Sequence, residues 1–392
     1  FIETNGVTQK TDVLVKKVDD KSIFDMRLFD ETDKTNYEKV RKVMSNLNIC
    51  SQKGLVEMFD SSIGANTVLM PFGGKYQSTP SLGMVCKIPV YQKETNTSTI
   101  MTYGYNPYIA KWSPFHGAYY ALIESIVKVV CIGGKYENIR LTLQEYFEKL
   151  GQDFSKWGKP FSALLGAFYV QNNMDIPAIG GKDSMSGTFK DISVPPTLVS
   201  FAVNTVDCED VVSNEFKKAN SKVVLLKTTR LDDDTLDFES LKNNLAKVNE
   251  LILNKKVLSS YSVGFGGICE AICKMSFGNK IGFRLENDID IYEMGYGNII
   301  LEVESLESLK DTQYILLGET SKEYVLDIFG EKIDLEKVYA SFSNVLESVF
   351  KTKTNVENSS IETVSFNVSN ESKSSIKIAK PNANKEEIIK AA

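Results

Sequence analysis

Between Ile179 and Phe189 the chain reads IGGKDSMSGTF, and no other stretch restricts the surrounding fold as much. Adjacent glycines let the backbone come close to another body, and the flanking apolar run at 176–179 and the Thr-Phe pair at its end call for extended structure on either side. Successive amide N–H groups at such a place can cradle an anion, with Lys182 adding charge and Ser184 and Ser186 adding hydroxyls. The same residues also fit an ordinary Gly-Gly turn carrying a solvated Lys182–Asp183 pair. Neither the G-x-x-x-x-G-K-[ST] nor the G-x-G-x-x-G nucleotide fingerprint is present here.

A chain of 392 residues has length for two or three domains, and 42% hydrophobic with 24% charged residues is ordinary for a soluble globular protein. No run reads as a membrane span and the start carries no signal-peptide pattern, so a cytoplasmic protein is expected. The first residue is Phe1 rather than Met, which suggests a piece of a longer polypeptide. A formal charge of −6 argues against nucleic acid as a partner, which needs a basic face; small anions need only a local positive site. The six cysteines include no C-x-x-C pair, and Cys269 and Cys273 fall on one face of an expected helix as small buried thiols, so no structural metal is expected. His116 is the single histidine. Set at the start of an expected helix, it reads as a capping or packing group, and a Cys-His-Glu glutaminase or Ser-His-Asp hydrolase is not expected in this chain.

Read in order, residues 11–18 and 22–28 alternate like strands, and 34–47 and 54–59 read as helices. Strands are expected at 83–90 and 98–105 in one sheet, then a mostly buried helix at 115–131. Helices at 141–150 and 161–174 follow, then the Gly-Gly loop and a strand at 197–206. The polar stretch 207–221 reads as a crossing into a second α/β region. There, strands at 222–227, 257–263, 282–285, 298–303, 313–317 and 324–328 are interleaved with helices at 237–254, 266–275 and 334–350. From Thr354 onward the composition turns rich in Ser, Asn, Lys and Glu, as in a linker or extended arm.

GGKDSMSGTF closely resembles the second synthetase half of phosphoribosylformylglycinamidine synthase, the purine-biosynthesis amidotransferase. So do SQKGLVEMFDSSIGANTVLMPFGG, YGYNPYIAKWSPFHGAYYALIES and YSVGFGGICEAICKMSFGN, in the family's order over roughly residues 50–349. The resemblance implies an α+β, aminoimidazole ribonucleotide synthetase-like fold. An A-type domain at 1–206 would have a sheet that pairs into a barrel, a B-type domain at 207–353 would have a mixed sheet and helices, and 354–392 would be an arm towards a missing glutaminase.

It also implies a function: ATP-dependent, glutamine-using amidation of formylglycinamide ribonucleotide, with ATP and Mg²⁺ bound in the full-length enzyme and an active site lying mainly on a first synthetase half. The implied partners are that first half, the glutaminase domain and a phosphorylated ribonucleotide, and the isolated piece could pair with itself as a homodimer. Gly180, Gly181, Lys182 and Asp183 would then face the nucleotide, Ser184 and Ser186 the substrate phosphate, and Lys182 lies where single-domain relatives carry a metal-binding Asn.

At the pseudo-symmetric site, where the resemblance implies that larger members hold magnesium around a nucleotide with an Asp, a Glu, an Asn and a further Asp, those positions fall on Gly83, Glu124, Lys128 and Ser262. Only Glu124 keeps a carboxylate, and its i,i+4 spacing to Lys128 points to an ion pair rather than a metal ligand. A stand-alone aminoimidazole ribonucleotide synthetase-like enzyme and a non-catalytic scaffold half are the alternative readings.

Overall fold

The structure is a computed structural model, and it describes residues 11–59 and 66–353. The described residues up to Thr352 belong to one compact unit. The arm expected at 354–392 lies outside the described residues.

Eight α-helices occur among the described residues: α1 Asn36–Met44, α2 Lys53–Val56, α3 Pro107–Trp112, α4 Pro114–Ile132, α5 Phe154–Met174, α6 Phe238–Leu253, α7 Gly267–Phe277 and α8 Leu335–Ser343. The starts of all but α2 and α7 follow from short polar residues that accept from the first free amides. Thr35 and Glu38 form a capping box on α1, Ser113 caps α4 ahead of Pro114, and Asp153, Asp237 and Asp334 cap α5, α6 and α8. Gly133 ends α4 at φ +120°, a conformation that strains any side chain, and there a Cβ would also lie 2.4 Å from the Asp210 carbonyl oxygen. Helix α5 begins seven residues before the expected 161 because it carries Pro160 inside rather than starting after it.

The first sheet has six strands: β1 Thr67–Leu69, β2 Gly83–Lys87, β3 Thr97–Gly104, β4 Arg140–Tyr146, β5 Ala178–Lys182 and β6 Thr197–Asp207. They lie in the order β1-β2-β3-β6-β4-β5, antiparallel except for the parallel pair β4/β5. Residues 141–150 do not form the expected helix. Strand β4 finds partners on both sides, Leu141 opposite Ala202 and Thr142 opposite Gly180, and Leu141, Leu143, Glu145 and Phe147 alternate towards the helices. A glutamate at one inward position hides that period of two from a sequence reading. The strands expected at 11–18 and 22–28 are also absent. The first is extended chain whose Leu14 amide donates to the Phe154 carbonyl at 3.0 Å, and the second is a short 3₁₀ turn, Ile23–Asp25, that buries Phe24.

Helix α4 packs on the inward face of this sheet, and nearly all its residues are buried. By length and apolar composition alone it would pass as a membrane span, contrary to the expectation that no run does so, but 83% of that window is buried within the protein. Where it crosses α5, Gly166 lies against Phe115: a Cβ there would sit 2.1 Å from the Phe115 carbonyl oxygen. On the opposite, outer face of the sheet Met84, Met101 and Tyr103 are 44%, 42% and 53% exposed, beside half-buried Val199, Phe201 and Val203.

The second sheet holds β7 Lys222–Leu226, β8 Val257–Ser262, β9 Gly282–Leu285, β10 Ile299–Val303, β11 Ile315–Ser321, β12 Val325–Ile328 and β13 Glu331–Asp334. Their order is β8-β10-β7-β11-β9-β12-β13, with β9/β12 the parallel pair. Strand β13 had no sequence counterpart: residues 331–333 fall in the gap between the strand expected at 324–328 and the helix expected at 334–350. Helix α4 ties this sheet to the first: the Ser260 hydroxyl of β8 donates to the Cys131 carbonyl, and in the segment between β7 and α6 the Leu236 amide donates to the Tyr119 hydroxyl at 2.8 Å and the Asp234 carbonyl accepts from the Tyr120 hydroxyl at 2.5 Å.

Candidate functional site

The Gly-Gly stretch is neither a turn nor a cradle. Gly180, Gly181 and Lys182 are extended and form the free edge of the first sheet, and the chain then continues alongside β4. The Ser184 amide donates to the Glu145 carbonyl at 3.1 Å, the Phe147 amide to the Ser184 carbonyl at 2.8 Å, and the Gly187 amide to the Phe147 carbonyl at 2.9 Å. The hydroxyls of Ser184 and Ser186 lie 3.1 Å apart, so the two expected phosphate-binding side chains are brought together.

The glycines differ in why they are needed. At Gly181 a Cβ would sit 2.7 Å from the Leu143 carbonyl oxygen, so its close approach to β4 excludes a side chain. At Gly180 nothing lies within 4 Å and the backbone is ordinary strand, so nothing within the described chain requires a glycine there. Around this edge Ile179, Phe189 and Ile192 are each at least 70% exposed, and Lys182 and Asp183 are exposed without a hydrogen-bond or ion-pair partner among the described residues. An open strand edge with a vacant side at Gly180 and an unpaired ammonium is suited to meet a body outside this chain.

The second expected site is a 320 Å³ cleft between α4 and α7. Lys128 and Glu124 pair at 2.6 Å, and the other Glu124 oxygen accepts from the Tyr105 amide at 3.2 Å. The Lys128 ammonium also donates to the Tyr103 carbonyl at 3.0 Å and lies 4.8 Å from that ring's centroid. Burial pushes the Lys128 ammonium down, but Glu124 beside it outweighs this and holds it above its ordinary value. Ser262 also lines the cleft; Gly83 does not, and a Cβ there would strike Thr102 and the Met101 carbonyl.

A second pair faces the same cleft. Lys274 meets Glu270 at 2.6 Å, and Glu270 accepts from the Gly266 amide at 2.8 Å. Sequence reading missed it, although E-x-x-x-K after a Gly-Gly helix start is a visible signal. Magnesium needs several free oxygen ligands; here both carboxylates are engaged by an ammonium and a backbone amide, so these residues do not fit a metal-bound nucleotide.

His116 is buried beneath the start of α4. Its Nε2 donates to the Asp233 carbonyl at 2.9 Å, which leaves Nδ1 to accept from the Ser113 hydroxyl at 2.8 Å. Burial lowers its proton affinity. This is the packing role expected of it. All six cysteines are free thiols, and Cys269 and Cys273 are buried on α7.

A larger cleft of 610 Å³ escaped sequence reading. It lies at the end of β7, where Arg230 pairs with Glu293 at 2.6 Å and sits 4.5 Å from the Phe24 ring centroid. Its residues come from six separate stretches, at 24, 120, 225–236, 268, 289–298 and 313–315, which leaves no local motif.

No family model matches the chain. It is 22% identical over 318 residues to the phosphoribosylformylglycinamidine synthase subunit PurL of Thermoplasma volcanium, a match covering 73% of this chain and 41% of the relative. To the same subunit of Prochlorococcus marinus it is 22% identical over 385 residues, covering 88% and 48%. The chain thus spans less than half the length of these relatives. Among solved structures, phosphoribosylformylglycinamidine synthase II of Thermotoga maritima superposes with a TM-score of 0.58 at 13% identity, covering 85% of this chain and 55% of that one. The PurLQS structure from the same organism gives the same TM-score over 78% and 52%. The chain is therefore similar in sequence to the synthase subunit PurL, and it has the α+β, aminoimidazole ribonucleotide synthetase-like fold of the solved PurL.

Proposed function

We propose that this chain works as one synthetase half of a phosphoribosylformylglycinamidine synthase, the second half in chain order. In this reading 1–206 is the A-type portion, 207–353 the B-type portion, and 354–392 leads towards a glutaminase. The strand edge at Gly180 to Asp183 faces the nucleotide and phosphates of a site carried mainly by the first half, and Ser184 and Ser186 hold the phosphate of the ribonucleotide. Lys182 contributes a fixed positive charge and the paired hydroxyls donate hydrogen bonds, while the vacant side at Gly180 lets the ligand approach the main chain. ATP and magnesium belong to the reaction of the full-length enzyme.

The observation that carries this reading is Gly180. Its lack of a side chain serves no contact inside the described chain, and it stands beside an unpaired lysine and two convergent hydroxyls. The solved Thermotoga maritima PurL has been obtained with ATP and with FGAR, which supports assigning such ligands to this kind of scaffold.

The test is the full-length polypeptide in ATP-dependent amidation of formylglycinamide ribonucleotide. Losing a charged hydrogen bond to a phosphate costs about 1.5–3 kcal/mol. Lys182→Ala should therefore lower kcat/KM for the ribonucleotide by roughly ten- to a hundredfold and leave glutamine hydrolysis intact. Unchanged synthetase kinetics in both Lys182→Ala and Ser184→Ala would reject the role of the edge.

One observation favours a second, scaffold-like role for the rest of the half: the cleft at Glu124 is closed by its own ion pairs. Magnesium-dependent ADP binding there should be absent in calorimetry of the chain, and micromolar binding lost in Glu124→Ala would overturn that.

A further inference from the structure

Glu145 plays no part in the function proposed above, yet it is the most unusual carboxyl near the strand edge. It points inward from β4 opposite Leu198 and is 7% exposed, and its carboxyl has no hydrogen-bond or ion-pair partner among the described residues. The surrounding charges are otherwise committed. On α5, Lys156 and Lys159 are both taken by Glu148, the former at 3.2 Å. Lys182 stands opposite Gln144, on the other face of the sheet. Asp183 is the next residue along, and the register that places Gly181 beside Leu143 brings Asp183 to the Glu145 side, where the Ser184 amide is held by the Glu145 carbonyl. A largely buried carboxyl with no cation, beside another carboxylate, is pushed towards its neutral form.

We propose that Glu145 is a positioning residue for the Gly180–Ser186 edge, and that its charge state sets how strongly this edge holds an anion. The proposal rests on the reading of that edge as a phosphate-facing site. While Glu145 is neutral, the edge carries one negative charge, at Asp183, against the ammonium of Lys182. Once Glu145 loses its proton, a second negative charge lies beneath the loop. It repels Asp183 and any bound anion, and the strain falls on the Ser184 amide that anchors the loop. Burial, and after it the charge of Asp183, pushes the Glu145 carboxyl up to about 7, which brings the transition into the neutral range. Anion affinity should fall as pH rises through that value.

The test uses the chain itself with sulfate as probe, because sulfate does not titrate near neutrality whereas a phosphate monoester does. Amide resonances of Gly180 to Ser186 are followed from pH 5.5 to 8.5, with and without sulfate, in the wild type, Glu145→Gln and Glu145→Leu. The wild type should show an inflection near neutral pH without sulfate, and its sulfate affinity should drop by roughly three- to tenfold across it, the effect of one nearby charge in a partly screened site. Glu145→Gln should keep the low-pH affinity throughout and lose the inflection, as should Glu145→Leu if the glutamine variant does not fold. An inflection that persists in either variant, or the same affinity slope in all three proteins, would overturn the proposal alone. No sulfate binding at any pH would overturn the phosphate-facing reading as well.

Discussion

At the scale of single residues, the Glu124–Lys128 and Glu270–Lys274 pairs show how a site can be closed by its own charges. Each ammonium sits within 3 Å of its carboxylate and is mostly buried, so removing one partner strands a charge, whereas removing both removes the problem. Lys128→Met should destabilise the chain by about 3 kcal/mol, and Glu124→Gln combined with Lys128→Met by clearly less than the sum of the single changes. Urea denaturation of the four proteins measures the coupling. His116 gives a pH signature of its own. Its folded-state affinity for a proton lies below the unfolded value near 6.5, so the unfolded chain binds the extra proton as pH falls. Its contribution is complete above pH 6.5 and is lost as pH drops through the lower folded value. Stability measured between pH 7 and 5 should decline, and His116→Asn should flatten that decline.

At the scale of elements, the α4/α5 crossing fixes where the strand edge sits, because α5 runs directly into β5. That crossing depends on the absence of a side chain at Gly166, which faces the Phe115 carbonyl. Gly166→Val forces a methyl group into backbone and should cost on the order of 1–3 kcal/mol, read as a lower denaturation midpoint. The same change should perturb the Gly180 to Ser186 amides, since α5 and β5 are joined by only three residues, 175–177. The helix read wrongly at residues 141–150 is the strand next to that edge. Its inward Glu145 broke the alternating pattern, and its two ladder partners lie some 35 and 60 residues further along the chain.

At the scale of the whole molecule, the outer face of the first sheet leaves Met84, Met101 and Tyr103 open to solvent. In the proposed synthase a first half covers it. In the isolated chain a two-fold dimer through this face is the expected solution. Light scattering should show a mass that rises with concentration, and Met101→Lys should return the chain to a monomer. A concentration-independent monomer in the wild type would reject the dimer.

The sequence by itself determined the alternation that makes most of the strands, the packing role of His116, the i,i+4 pairing at Glu124 and the resemblance carried by GGKDSMSGTF. These are local: a period or a spacing is complete within a few residues. Only the tertiary structure decided that Gly180 and Gly181 form an edge strand rather than a turn, that Glu270 and Lys274 share a cleft with Glu124, and that Glu145 lies unpaired beside Asp183. Each of these depends on which distant segments become neighbours, and hydrogen-bond ladders and buried charges acquire their partners only when the chain has closed on itself.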